Sequence, residues 1–136
     1  MSVRSSSEDL QHSRLIEALV ESLQQRDYVS IKAEHIPSFA DRRPEPIYSV
    51  AHDHYFIPDV VAEKDGRQVL FEVETSGSLD APSTRAELST FAIHAAANNM
   101  LYYLVVPEEI RKRAEMALEM IAERKQRATF VLSMPS

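Results

Sequence analysis

The sequence predicts an α/β domain with a mixed sheet, on three observations. Two β-patterned segments, residues 48–63 and 68–75, flank Lys64-Asp65-Gly66-Arg67, and Asp-Gly is a strong signal for a two-residue type I′ hairpin. A helix-patterned stretch follows from Thr84. It leads into residues 101–106, a continuous apolar run of the kind expected for a central strand covered on both faces, so this pairing is a right-handed parallel crossover.

In chain order, residues 12–25 carry Leu15, Ile16, Leu19, Val20 and Leu23 at helical spacing and predict an amphipathic first helix. Residues 28–35 alternate weakly around Val29 and Ile31 and predict a strand, and the proline-studded residues 37–46 predict a long loop. The hairpin strands come next. Thr84-Arg85-Ala86-Glu87 has the pattern of a capping box, so the second helix is expected to start there, to bury Leu88, Phe91, Ala92, Ala95 and Ala96, and to end at Asn98-Asn99. A third helix over residues 108–127 turns Ile110, Ala114, Ala117, Leu118 and Ile121 inward, and residues 129–132 form a last strand. The expected order is αβββαβαβ, in a polar N-terminal segment over residues 1–11 and a single domain over residues 12–136.

Bulk properties narrow the function. The chain has 136 residues, 44% of them hydrophobic, which fits one core and leaves no room for a separate specificity domain. It has no cysteine, so disulfides and thiolate metal sites are excluded. No signal-peptide pattern and no membrane-length apolar run occurs, so a cytoplasmic protein with no membrane partner is expected. The formal net charge of -6 argues against nonspecific coating of nucleic acid. Gly66 and Gly77 are the only glycines, so there is no glycine-rich loop for a small phosphorylated substrate.

The chemistry gathers on the hairpin. A two-residue turn at Asp65-Gly66 sets Lys64 opposite Arg67, and counting outward sets Asp59 opposite Glu72 and Ile57 opposite Glu74. Alternation then puts Asp59, Glu72 and Glu74 on one face. Glu72 and Glu74 lie in Val69-Leu70-Phe71-Glu72-Val73-Glu74, apolar at its other positions, so the acids are expected to be partly buried. Opposed anions about 4.5–5.5 Å apart repel unless a proton or a cation intervenes. A hard divalent ion, Mg2+ or Mn2+, resolves that conflict and brings phosphodiester hydrolysis with it. The plain alternative is a solvent-facing hairpin that displays acids.

Pro58-Asp59, a short hairpin and Glu72-Val73-Glu74, within the order α-β-β-β-α-β, resemble the PD-(D/E)xK nuclease superfamily over about residues 12–106. The resemblance implies a restriction endonuclease-like three-layer αβα core with a mixed central sheet. It further implies a DNA-cleaving enzyme in which Asp59, Glu72 and the carbonyl of Val73 hold the metal. Most members have lysine at the third motif position, where this chain has Glu74. Glu74 is then general base or second metal ligand, and the alternative is an inactive nuclease-fold module binding nucleic acid or protein. For the missing cation, Lys32 and Lys64 are poorly placed and Arg85 is the better candidate. His12 falls within the apolar arc of the first helix and points at the sheet. Members often carry a glutamate there, so the resemblance implies that His12 supports the site or carries a proton; a half-buried, satisfied histidine is the alternative.

His52 and His54 share a strand face opposite that of Asp59 and read as surface residues, with a separate zinc-type site as the alternative. Arg42-Arg43, Arg111-Lys112-Arg113 and Arg124-Lys125-Gln126-Arg127 are candidate phosphate contacts, or simply solvated charge. The small size points to recognition by a partner or effector protein or a second subunit, and cutting both strands of a duplex favours a homodimer.

Overall fold

The computed structural model describes residues 6–121 and 128–135. Helix α1 (Ser6–Gln25) is followed by strands β1 (Val29–Ala33), β2 (Ile47–Ser49), β3 (His54–Phe56), β4 (Val60–Lys64) and β5 (Arg67–Val73). Then come α2 (Pro82–Ala97), β6 (Leu101–Pro107), α3 (Arg111–Glu119) and β7 (Thr129–Met134). Short 3-10 turns occupy Pro37–Phe39 and Glu108–Ile110. Among the described residues no helix is long and apolar enough to cross a membrane.

Five strands form the main sheet in the order β1-β4-β5-β6-β7. The first two pairings are antiparallel, and β5–β6 and β6–β7 are parallel, so the sheet is mixed. Asp65 and Gly66 both have positive φ, 53° and 77°, as a type I′ turn requires. That turn sets Lys64 opposite Arg67, and the register runs unbroken out to Val60 opposite Phe71.

Apolar clusters lie on both faces of the sheet. On one, Leu15, Ile16, Leu19 and Val20 of α1 pack with Val69, Phe71 and Val73 of β5 and Val105 of β6. On the other, Leu70, Tyr102, Leu104 and Val106 pack with Leu88, Phe91, Ala92 and Ala95 of α2 and with Ala114 and Leu118 of α3. Burying one large side chain such as Phe71 contributes about 2–3 kcal/mol. β5, the middle strand, is therefore buried on both faces, and any charge it carries there is desolvated.

The structure departs from the expected elements in four places. Residues 48–63 are three strands rather than one. The left-handed backbone at Asp53 (φ 46°) closes the small β2–β3 hairpin, and Pro58, which has no N–H to donate, separates β3 from β4. The first helix begins six residues earlier than His12, at Ser6, with Glu8 and Asp9 in its first turn where the helix dipole favours acids. The second starts at Pro82, whose fixed φ suits the first helical position, and its N-cap Ala81 makes no side-chain bond. The Thr84 hydroxyl donates instead to the Ser78 carbonyl at 2.7 Å, so the capping box does not form. Ala96 is exposed, while the other residues predicted to face inward from this helix are buried. The third helix opens as a 3-10 turn, its α-helical part ends at Glu119, and the rest of its expected span, residues 122–127 with Arg124-Lys125-Gln126-Arg127, lies outside the described residues.

Candidate metal centre

The site forms where β4 and β5 stop pairing. Val60 opposite Phe71 is the last bonded pair, and one residue further on each strand stand Asp59 and Glu72, both only 4% exposed. The chain bends at Asp59 because Pro58 precedes it. Asp59 Oδ2 accepts a hydrogen bond from the Val73 N–H at 2.8 Å and lies 3.2 Å from His12 Nε2. Its backbone carbonyl accepts from the Glu34 N–H at 2.9 Å, which ties the end of β1 to the same corner. The imidazole of His35, on the exposed turn after β1, lies 3.7 Å from Asp59 Oδ1 and 5.2 Å from the His12 ring.

Glu74 lies one residue beyond the end of β5 and is fully buried. Its N–H donates to the Val105 carbonyl at 2.9 Å, which extends the parallel pairing by one bond. Its Oε1 accepts from the Ser78 hydroxyl at 2.6 Å. Glu87 of α2 completes a second group: one carboxylate oxygen from each of Glu72, Glu74 and Glu87 lies within 4.8 Å of the others.

The carboxyls do not all behave alike. Burial, followed by the charges of Asp59, Glu74 and Glu87, pushes Glu72 well above the usual glutamate range. Asp59 thus raises Glu72, and Glu72 in turn helps to lower Asp59. Burial also works to raise Asp59, but the hydrogen bond and electrostatic pull of His12, with the bonds from Glu72 and the Val73 N–H, hold it below its ordinary range. Tyr102 of β6 lies in the same field. Burial and then the charges of Glu72, Glu74, Glu87 and Asp59 keep its phenol well above its usual value.

Among the described residues, Glu72 Oε2 and the Tyr102 hydroxyl are buried without a hydrogen-bond partner. Such an orphan costs about 1–3 kcal/mol. An oxygen-only set of carboxyls, Glu72 and Glu74 buried and Glu87 half-buried, with the Glu72 acceptor unsatisfied fits a hard divalent cation.

Asp59 and Glu72 are thus brought to the same end of the hairpin, and Glu74 joins Glu72. The three do not form a single flat row: Asp59 turns towards His12 and His35, while Glu72 and Glu74 gather with Glu87. Ile57 is unpaired in the sheet and half exposed, so the predicted Ile57–Glu74 pairing does not form. His12 is buried and faces Asp59.

The other candidates lie elsewhere. His52 bonds the Ser49 hydroxyl through Nδ1 at 2.9 Å, and His54, exposed, packs edge-on against Phe56. Lys64 lies over the Tyr28 ring, and Lys32 is exposed on β1. Arg85 is exposed and lines a cleft between α2 and α3 with Arg113. Arg42 covers the Phe39 ring, and Arg113 pairs with Asp80.

Three contributors were hidden in the sequence. Glu87 read as a capping residue, although it precedes Phe91 by one helical turn and so shares the inward arc. His35 and Ser78 carry no local signal, since only the strand register and the turn after β5 bring them to the site.

No protein-family model matches the chain, and no curated protein does. Among solved structures, the chain is similar to an XisH family protein from Nostoc punctiforme, at 17% identity over 90% of each chain with a TM-score of 0.44.

Proposed function

We propose that this protein is a divalent-metal-dependent nuclease that hydrolyses phosphodiester bonds in DNA, with Asp59 and Glu72 as the principal metal ligands. One observation carries the reading. Two buried carboxyls, Asp59 and Glu72, stand one residue beyond the last pair of adjacent strands, where the hairpin opens, and Glu74 and Glu87 crowd Glu72. The resemblance of Pro58-Asp59 and Glu72-Val73-Glu74 to the PD-(D/E)xK pattern supports the same assignment.

Mg2+ or Mn2+ held there would supply Lewis-acid polarisation of a phosphoryl oxygen and a bound water of lowered pKa. The protein's own residues do the positioning. The Val73 N–H and His12 fix the Asp59 carboxylate from two directions, so its remaining lone pairs are aimed before any ion arrives. Glu72, which burial and the neighbouring charges hold well above its ordinary range, would hold the ion in its ionised form. Ser78 holds one oxygen of Glu74, which orients that carboxylate as proton acceptor for the attacking water or as a further ligand. The carbonyl of Val73, between the two glutamates, completes the ligand set that the resemblance implies.

DNA is the proposed substrate, with a recognition protein or a second copy of the chain as the proposed partner. A second reading, an inactive nuclease-fold module that binds nucleic acid or protein, is favoured by Glu74 standing where most members have lysine.

Cleavage of linear, branched and single-stranded DNA with Mn2+ or Mg2+ separates the two. Turnover that chelator abolishes, and that Asp59→Ala and Glu72→Ala both lack, supports the enzyme. Cleavage undiminished in either variant refutes the assignment.

A further inference from the structure

We propose that His12, His35 and Asp59 form a binding site for one divalent transition-metal ion of the imidazole-accepting kind, Zn2+ or Co2+, beside the glutamate cluster and distinct from it. The proposal shares Asp59 with the nuclease reading but does not depend on it.

One ligand atom from each of the three residues lies within 4.8 Å of the other two. His12 Nε2 is 3.2 Å from Asp59 Oδ2, and His35 Nε2 is 3.7 Å from Asp59 Oδ1. Two donors about 2.1 Å from a common ion at the tetrahedral angle stand about 3.4 Å apart. The observed separations, one to each oxygen of the carboxylate, lie close to that spacing.

A hydrogen bond explains only half of the arrangement. At 3.2 Å, His12 bonds Asp59 and needs nothing more. At 3.7 Å, His35 is beyond hydrogen-bond distance, and yet its nitrogen faces the second oxygen of the same buried carboxylate.

The backbone sets this up from far apart in the chain. Ala33 of β1 pairs with Val60 of β4, and the Glu34 N–H bonds the Asp59 carbonyl, so the next residue, His35, is brought beside Asp59. Left-handed backbone at His35 (φ 65°) ends the strand there. His12 comes from the buried stripe of α1.

Two imidazoles and one carboxylate leave a fourth position open, the composition of zinc sites that also bind water or substrate. Donor chemistry separates the two neighbouring sites: imidazole suits Zn2+ and Co2+, whereas the oxygen-only glutamate cluster suits Mg2+ and Mn2+. His35 has a side chain 52% exposed, so an ion can enter from solvent although His12 and Asp59 are buried.

The test is titration of Co2+ into metal-free wild type, His35→Ala and Glu72→Gln, followed by visible absorption and calorimetry. His35 is exposed, so its replacement leaves the fold intact, and thermal unfolding of the variant verifies this. Wild type is expected to bind one Co2+ with the intense visible bands of a four-coordinate nitrogen-containing site. Glu72→Gln keeps those bands, and His35→Ala loses them with affinity reduced at least about tenfold. Co2+ bound equally well by His35→Ala, or lost in Glu72→Gln, would place the ion among the glutamates; that result ends the histidine site and leaves the nuclease reading standing. Absence of Co2+ binding also ends it, and Mg2+ titration then judges the nuclease reading separately.

Discussion

Replacing Glu72 with glutamine is expected to stabilise the metal-free protein by an amount that grows with pH. Glutamine keeps the shape and a donor for Asp59 but cannot ionise. In wild type the folded-state pKa of Glu72 is raised well above its ordinary value of 4.5, by burial and then by the charges of Asp59, Glu74 and Glu87. The folded protein therefore binds more protons at Glu72 than the unfolded chain does. Its contribution to stability is complete below about pH 4.5 and is lost as pH rises through the folded pKa, by up to about 1.4 kcal/mol per pH unit. Asp59 has the opposite sign. Its pKa is lowered in the fold, so its contribution is present above the ordinary value of 3.8 and is lost only in more acidic solution. The window from pH 5.5 to 7.5 lies above the range in which Asp59 titrates, so the slope is read there against Glu72. Over those two units the difference between Glu72→Gln and wild type grows with pH, up to the ceiling of about 3 kcal/mol that one proton sets over two pH units, on the order of 10 °C in Tm for a domain of this size. Thermal unfolding in chelator at several pH values reads it directly. Parallel profiles for the two proteins would refute the reasoning, because Glu72 would then feel no excess of negative charge and the cluster would have no unmet need for a cation.

Other predictions concern the supports of the site and the fold. His12→Ala removes a buried partner of a charged carboxylate and is expected to cost about 1.5–3 kcal/mol in urea unfolding, before any packing loss. Tyr102→Phe deletes a buried hydroxyl that has no hydrogen-bond partner among the described residues, so it should be neutral or stabilising by about 1 kcal/mol; a clear loss would mean that the hydroxyl is bonded. Gly66→Ala places a side chain at φ 77° with open space around it, and the backbone alone should cost roughly 1–2 kcal/mol, measured as a shift in the denaturation midpoint.

The parts of this protein that its sequence reveals are those governed by local rules. Asp65-Gly66 dictates its turn through positive φ, and the turn dictates the register, so the adjacency of Asp59 and Glu72 follows from four residues. His12 declares itself by falling inside an apolar arc. What stays hidden depends on competition or distance. Residues 48–63 carry enough β-branched and aromatic side chains to read as one strand, but the Asp53 turn and Pro58 outweigh propensity. The pattern at Thr84 is a sound cap in isolation, but Pro82 starts the helix two residues sooner and the hydroxyl finds Ser78. Glu87 and His35 reach the carboxyls only through helix docking and the β1–β4 pairing, contacts that no short window of sequence contains.

Calorimetric titration of Mg2+ and Mn2+ into wild type and Glu72→Ala, with DNA cleavage followed in the same samples, tests the central claim most directly. A divalent ion bound by wild type, lost in Glu72→Ala and required for cleavage is the predicted result. Failure of wild type to bind either ion even with DNA present would contradict it, and Asp59, Glu72, Glu74 and Glu87 would then be structural acids.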